Sequence, residues 1–267
     1  SLGIADEFTK RGLKIFGPTK APAAMESSKS FAKEIMNAAG VPTAKFETFY
    51  DKKSAVSYCD KIGAPLVLKA DGLAAGKGVC VCTEENQLSH GLDFIFDELK
   101  ADKIVIEEFL EGVEASYIVA ASGLTIVPMA TSHDYKRLLD GQRGPNTGGM
   151  GSVSPTPHLT ANQEEWVIDH IIKPTLQELD KRNMPFVGFL YAGLMISPDG
   201  RINVIEFNCR FGDPECQSVM ARLDGDLAAI LYSMVSDAGP TKEPALKWDS
   251  RTAVTVVATA AGYPASV

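Results

Sequence analysis

An α+β fold with mostly antiparallel sheets is predicted by three features of the sequence. Two stretches, "EASYIVAASGLTIVPMA" and "GFLYAGLMISPDGRINVIEFN", place apolar runs on both sides of a turn signal, Ser122-Gly123 in the first and Pro198-Asp199-Gly200 in the second, the pattern of antiparallel hairpins. Helix-period segments fall between the strands without the strict βαβ alternation of a parallel sheet. The 267 residues, 45% hydrophobic and 22% charged, are enough to bury one large core or two smaller ones.

The elements follow in order. "IADEFTKRGLKIFGPTKAP" reads as the end of a helix stopped at Gly12, then a short strand over residues 14–16 ending in a Gly-Pro turn. "AAMESSKSFAKEIMNAAGVP" reads as one helix, with Phe31, Ile35 and Ala38 at helical spacing, Gly40 as its stop and Pro42 behind it. "AKFETFY" is strand-like, and Asp51 caps a helix reaching about residue 62. "PLVLKA" and "GVCVCT" are two strands joined by the Gly-rich "DGLAAGKG", a helix over about 84–99 follows, and "KIVIEEF" is another strand. After the first hairpin, residues 133–154 read as a polar loop rich in Gly and Pro; a helix over about 162–181 leads to the second hairpin, and two more helices lie between 214 and 235. The closing "RTAVTVVATAAGYPASV" is a strand pattern with nothing after it, and the chain opens on Ser1, so a segment cut from a longer protein is expected. A smaller lobe over roughly 44–110 would carry the Gly-rich loop.

With 34 acidic against 26 basic side chains the net charge is −8, which argues against a broad nucleic-acid surface and requires any anionic ligand to find a local basic pocket. The five cysteines, Cys59, Cys80, Cys82, Cys209 and Cys216, are an odd count without a CxxC pair, the usage of reduced thiols in a cytosol. No leader pattern opens the chain and no apolar run approaches the roughly 18 residues of a membrane span, so a soluble, cytoplasmic protein is expected.

Three stretches carry chemistry. "KADGLAAGKGV" sets Gly72, Gly76 and Gly78 beside Lys69 and Lys77 between two strands; glycines let backbone N–H groups approach phosphates and Lys69 adds charge. It is no Walker A loop, because Lys77 is followed by Gly78 and a strand where Ser or Thr and a helix are required; a phosphate-covering hairpin or a plain Gly turn remains. "IVIEEFLEGVE" runs a strand into Glu107, Glu108, Phe109 and Leu110, whose backbone can meet an adenine edge, with Glu114 able to accept from ribose hydroxyls; solvated acidic residues at a strand end are the alternative. "HDYKRLLDGQRGPNTGGMG" gathers Asp134, Lys136, Arg137 and Asn146 with several glycines, a composition suited to an anion, in a loop too long to lack a purpose.

"INVIEFNCRFGDPECQ" raises a different question, since an apolar strand enters a cluster of charges. Regular alternation would put Ile202, Val204, Glu206 and Asn208 on one face and Ile205 and Phe207 on the other. Glu206 and Asn208 are oxygen donors about 7 Å apart along a strand, able to hold one or two hard cations; a strand fraying into a polar loop is the plain alternative. The histidines 90, 133, 158 and 170 share no metal-ligand spacing, no nucleophile motif is present, and Trp166 and Trp248 read as packing residues.

Taken together and in this order, "FGPTKAPAAMESSKSFAKEIM", "KADGLAAGKGV", "VIEEFLEGVEAS", "NTGGMG" and "RFGDPECQ" resemble the glycinamide ribonucleotide synthetase (phosphoribosylamine-glycine ligase) family of ATP-grasp ligases over almost the whole chain. The resemblance implies an ATP-grasp fold of two α+β lobes enclosing the nucleotide, with residues 1–19 as the tail of an amino-terminal domain, 20–250 as the ATP-grasp domain and 251–267 as the start of a carboxy-terminal domain. It implies the reaction of glycine, 5-phosphoribosylamine and ATP to glycinamide ribonucleotide, ADP and phosphate through a glycyl phosphate, with magnesium, or manganese in its place, as cofactor. Catalysis would rest on positioning and charge neutralisation and not on a protein nucleophile.

By the same resemblance Lys29 and Lys69 touch the phosphates under the "DGLAAGKGV" hairpin, Glu107, Glu108, Phe109 and Leu110 hold the adenine, and Glu114 the ribose. Lys136, Arg137 and Asn146 line the phosphate and substrate side, Glu206 and Asn208 are the metal ligands, and Arg210 and Asp213 sit beside glycine and the ribose phosphate. The sequence departs from the family's pattern in a shorter "FDELKADKIVIEEF" and in Gln142-Arg143, where an acidic residue is common. Another ATP-grasp carboxylate-amine ligase, or a non-catalytic ATP-binding fragment, is the alternative; "RFGDPE" argues against the first and the retained Lys29, Lys69, Glu206 and Asn208 against decay.

Overall fold

The structure, a computed structural model, describes residues 2–72, 78–236 and 246–264. In chain order it comprises α1 (Ile4–Lys10), α2 (Ala24–Ser27), α3 (Lys29–Ala39), β1 (Phe46–Phe49), α4 (Lys52–Ile62), β2 (Leu66–Ala70), β3 (Val79–Cys82), α5 (Glu85–Asp93), β4 (Ile104–Glu108), β5 (Val113–Ser122), β6 (Thr125–Pro128), β7 (His133–Asp134), β8 (Arg137–Leu139), β9 (Arg143–Asn146) and β10 (Gly151–Ser154). It continues through α6 (Ala161–Val167), α7 (Lys173–Lys181), β11 (Val187–Ile196), β12 (Ile202–Asn208), α8 (Glu215–Met220), β13 (Leu223–Asp224), α9 (Leu227–Met234), β14 (Lys247–Trp248) and β15 (Ala253–Val256). A π-helical turn extends α5 over Phe94–Glu98, and another joins α6 to α7 over Ile168–Ile172.

The largest sheet, in the order β12-β11-β5-β6, is antiparallel throughout, and β5 and β11 pair from Val113↔Ile196 to Ser122↔Val187. Strand alternation splits its side chains. Ala115, Tyr117, Val119, Leu190, Ala192 and Leu194 point into a core completed by Ile35 and Met36 of α3 and by Val167, Ile171, Leu176 and Leu179 of the α6–α7 segment. Fully burying such aliphatic side chains is worth roughly 1.5–3 kcal/mol each, so this layer fixes α3 to the sheet. Ile118, Ala120 and Tyr191 face the other way, towards Val219 of α8 and Met234 of α9.

A second sheet, β1-β4-β2-β3, is also antiparallel and carries α4 and α5 on one face. Ala55, Cys59, Leu88, Leu92 and Ile95 pack there on Leu66, Leu68, Ile104 and Ile106, giving this smaller lobe a core of its own. α5 approaches closely because Gly91 has no side chain: a Cβ there would lie 2.8 Å from Leu68 Cδ1. Asp51 caps α4 as the sequence indicates, accepting from Ser54 N at 2.8 Å.

Three readings change. The expected helix through residues 24–39 is broken at Ser28, which is extended (φ −139°, ψ 110°) and whose hydroxyl accepts from Phe31 N, capping α3 as a separate helix. Residues 14–16 belong to no sheet among the described residues; Phe16 instead docks edge-on against Phe189, ring centroids 5.2 Å apart. The polar stretch 133–154 is built from β7, β8, β9 and β10 and is not an irregular loop. Its Gly and Pro content hides strands of two to four residues, which are closed by Tyr135 N to Gly151 O at 2.9 Å and Met150 N to Tyr135 O at 2.7 Å. β10 then lies between β7 and β15 in a third sheet.

Candidate active site

β12 pairs with β11 as Ile202↔Ile196, Asn203↔Met195 and Val204↔Leu194, then as Glu206↔Gly193, Phe207↔Ala192 and Asn208↔Tyr191. Ile205 is the extra residue of a β-bulge, and it reverses the alternation beyond it. The expected sharing of one face by Ile202, Val204, Glu206 and Asn208 therefore fails after Val204. Phe207, 3% exposed, joins Ile202 and Val204 in the main core, while Glu206 and Asn208 turn to the opposite face. There they lie side by side, Asn208 Nδ2 donating to Glu206 Oε1 at 3.3 Å. Gly193 gives Glu206 its room, since a Cβ at that position would stand 3.3 Å from Glu206 Cγ.

The bulge also presents its carbonyl to the smaller lobe. Lys69 of β2 donates to Ile205 O at 3.0 Å, and its ammonium stands 2.9 Å from Glu107 Oε1 of β4. That contact is an ion pair without an aligned hydrogen bond, so Oε1 is buried with no hydrogen-bond donor. The other oxygen of Glu107 meets Lys33 of α3 at 3.1 Å. Lys33 Nζ donates to Thr43 Oγ1 at 2.7 Å, and Thr43 Oγ1 donates to Val204 O at 2.7 Å. Burial lowers the Lys33 pKa to about 8 against the pull of Glu107.

Lys29 opens α3 and donates to Gly72 O at 3.1 Å. Burial lowers its pKa, while the carboxylate of Glu206 pulls the other way. The start of α3 is held from outside by Asp71, which accepts from Ser30 N at 3.1 Å, Ser28 Oγ at 3.1 Å and Ser30 Oγ at 3.0 Å and pairs with Lys103. The Gly-rich hairpin expected to cover phosphates falls largely on residues 73–77, which lie outside the described residues.

Next to this cluster, on the same face of the large sheet, Lys136 pairs with Glu114. Burial opposes the Lys136 charge, yet Asp134 and Glu114 outweigh it and hold its pKa well above the usual value. Burial pushes Asp134 up to about 7, with Lys136 drawing it down and Glu215 and Glu114 adding to the rise. Glu215, 3% exposed, accepts from Ser116 Oγ at 3.0 Å, and Ser116 Oγ lies 2.9 Å from Tyr191 OH.

The remaining sequence-selected residues are more dispersed. Arg210 donates to Glu26 Oε1 at 3.0 Å and reaches Asn208 Oδ1 at 3.4 Å, so it borders the Glu206–Asn208 pair. Asp213 is exposed and accepts from Gln217 at 2.7 Å. Arg137 and Asn146 face each other across the exposed β8–β9 ribbon, where Arg137 donates to Gly144 O at 2.8 Å. Glu108 bonds the backbone of Lys45 through both its N–H and its carboxylate, each at 2.9 Å, and Phe109 and Leu110 beyond it are half-buried. Lys33, Asp71, Ser116 and Tyr191 were not singled out from the sequence, and Glu215 only as one of the charges that follow β12. Of the first four, only Lys33 carried a signal there: a lysine between Ala32, Ile35 and Met36, on the buried face of its helix.

Two ammonium groups beside a carboxylate-amide pair suit a polyphosphate with a hard cation. No group of three or more His, Cys, Asp or Glu able to hold a metal occurs among the described residues. A cation at Glu206 and Asn208 would take its other ligands from elsewhere, which fits the way magnesium is held at phosphate sites by one or two carboxylates plus phosphate oxygens.

The family model of the phosphoribosylglycinamide synthetase ATP-grasp (A) domain matches residues 27–216, a span that contains every one of these groups. The chain belongs to this family. A phosphoribosylamine-glycine ligase of Ralstonia nicotianae is 50% identical over 268 residues, covering 99% of this chain and 63% of the relative. The chain thus spans less than two thirds of that protein's length. The crystal structure of phosphoribosylamine-glycine ligase from Thermotoga maritima superposes with a TM-score of 0.86 at 35% identity, over 97% of this chain and 66% of the other. The biotin carboxylase domain of a Hydrogenobacter thermophilus 2-oxoglutarate carboxylase, solved with MgADP, matches with a TM-score of 0.71 at 18% identity, covering 90% of this chain and 51% of that one, a likeness of fold alone. The α+β architecture is the ATP-grasp fold of this phosphoribosylglycinamide synthetase family.

Proposed function

We propose that this chain forms the nucleotide-binding and catalytic part of a ligase that joins glycine to 5-phosphoribosylamine with hydrolysis of ATP to ADP and phosphate. The observation that carries the reading is the meeting of Lys29 and Lys69 with the Glu206–Asn208 pair at the bulge of β12. Lys29 and Lys69 hold the phosphates from the side of α3 and β2, the segment of Glu107, Glu108, Phe109 and Leu110 flanks the adenine, and Glu114 receives the ribose after parting from Lys136. Lys136, Arg137 and Asn146 border the phosphate and substrate side, and Arg210 and Asp213 the glycine and ribose phosphate. Glu206 and Asn208 hold magnesium, or manganese in its place, whose part is to neutralise phosphate charge.

The glycine carboxylate attacks the γ-phosphorus, the bond to ADP breaks, and the amine of phosphoribosylamine displaces phosphate from the resulting glycyl phosphate. The protein supplies no nucleophile; its residues align the reactants and balance their charge. The partners are small molecules, not nucleic acid or a membrane, and the setting is the cytoplasm. No helix among the described residues is long and apolar enough to cross a membrane.

The coverage of the relative, 63%, favours a second reading in which the chain binds ATP but ligates slowly, because part of the phosphoribosylamine cradle lies in the rest of the protein. Calorimetry with ATP and magnesium, followed by an ADP-release assay with both substrates, separates the two. The proposal expects ATP binding that Glu206→Ala abolishes while the circular dichroism spectrum is kept. Undiminished binding by the variant removes Glu206 from the metal site, and ligation equal to that of the longer protein removes the second reading.

A further inference from the structure

Lys33 has no place in the mechanism above, yet it is 2% exposed and sits at the junction of three elements. Its ammonium meets Glu107 of β4 at 3.1 Å and Thr43 Oγ1 at 2.7 Å, and Thr43 passes the contact on to Val204 O. Lys69 meets the other oxygen of the same carboxylate and donates to Ile205 O. The two lysines that share Glu107 therefore reach successive carbonyls of β12, Lys69 that of Ile205 directly and Lys33 that of Val204 through the Thr43 hydroxyl. We infer that Lys33 is a positioning residue for Lys69: by sharing the Glu107 carboxylate it leaves Lys69 with unmatched positive charge for the polyphosphate of a nucleoside triphosphate.

The charge count gives the reason. Two ammonium groups around one carboxylate carry a net single positive charge. Without Lys33 the Glu107–Lys69 pair is neutral, and its attraction for phosphate falls steeply in a site screened from water. A lysine this buried still bears its proton at neutral pH, since burial lowers it only to about 8. The unaligned geometry at Glu107 Oε1 agrees: the Lys69 ammonium directs its hydrogen bond to Ile205 O and not along the ion pair. The inference rests on the ATP site proposed above and adds to it a residue that touches no ligand.

Charge and packing are separated by two variants of the 267-residue chain, Lys33→Met and Lys33→Met/Glu107→Gln. Affinities for ATP with magnesium and for adenosine are measured for each by displacement of a fluorescent ATP analogue. Adenosine has no phosphate, so the ratio of the two affinities cancels any change at the ring. The ratio should fall at least about tenfold in Lys33→Met, the effect of one charge about 12 Å away at an effective dielectric of about 20. It should return to within about threefold of wild type in the double variant, where Lys69 alone again carries net charge. An unchanged ratio in Lys33→Met, or a fall that Glu107→Gln does not reverse, overturns the assignment. Failure of both variants to fold by circular dichroism makes Lys33 structural and overturns it as well. Wild-type chain that binds neither ATP nor inorganic tripolyphosphate overturns the reading of the site, and this inference with it.

Discussion

Alanine at Phe207 and at Ile205 should have very different consequences for stability. A regular β12 would put the two side chains on one face, so truncating either would do similar damage. With Ile205 as the bulged residue they part company: Phe207 is 3% exposed within the main core, whereas Ile205 is half-buried and outside every core cluster. Phe→Ala in a close-packed core costs roughly 3–5 kcal/mol, the transfer term plus the cavity left behind. A half-exposed Ile truncated to Ala loses about 1 kcal/mol, since only part of its apolar area leaves water on folding. Urea denaturation followed by the fluorescence of Trp166, which packs against the same core, gives both values from midpoint shifts at constant slope. Equal losses for the two variants, or a larger one for Ile205→Ala, would show that β12 is regular and that Glu206 and Asn208 do not face the site together.

Gly193→Ala should raise the magnesium concentration needed for ATP binding several-fold with little change in stability, because the new Cβ presses on Glu206 Cγ from 3.3 Å and φ there is not left-handed; titration of magnesium at fixed ATP reads this, and an unchanged midpoint argues against Glu206 as a ligand. Asp71→Ala removes the acceptor for Ser30 N at the start of α3 and should cost about 1–2 kcal/mol, with a parallel loss of ATP affinity through Lys29; loss of stability with ATP affinity intact would uncouple α3 from the site. Asp134, raised to about 7 from 3.8, keeps its proton in the native state between about pH 4 and 7 while the unfolded chain releases it, so its contribution to stability falls as pH rises through that window. Asp134→Asn should therefore match wild type near pH 4 and be more stable by about 1–3 kcal/mol at pH 8, in urea denaturation at both pH values; the opposite order would mean that pairing with Lys136 outweighs burial.

The large sheet and most helices were legible because each carried local signals: Pro198-Asp199-Gly200 between two apolar runs, Asp51 before α4, Gly40 after α3. The helix break at Ser28 was not, because the helical spacing of Phe31, Ile35 and Ala38 outweighed the serine cap that "ESSKSF" offers at Ser28, and the carboxylate of Asp71 that reinforces it at the start of α3 is distant in the chain. The short strands of residues 133–154 were hidden in the same way, since two-residue strands have no period to read and exist through partners such as β15. At the site, "IEFN" identified Glu206 and Asn208 correctly as neighbours. The face they share was misread, because nothing in "INVIEFN" announces that Ile205 is skipped in the pairing with β11. Glu215 stood out only as one charge in the cluster after "IEFN"; its partner Ser116, and Tyr191 beyond it, belong to elements far apart in the chain and leave no local trace.

The pairing of β10 with β15 carries a consequence for how the protein is made. Gly151↔Val256 and Ser154↔Ala253 join residues about a hundred positions apart, the most non-local strand pairing among the described residues and of the kind that slows folding. On the ribosome, the segment bearing Lys136, Arg137 and Asn146 emerges well before the strand that fences it, and at some 5–20 residues per second the interval is of the order of five to twenty seconds. During that time the edge of β10 offers unpaired backbone groups to any neighbouring nascent chain. A polysome translating this message would hold several such edges close together, and chaperone occupancy should peak between the exposure of residue 154 and that of residue 256.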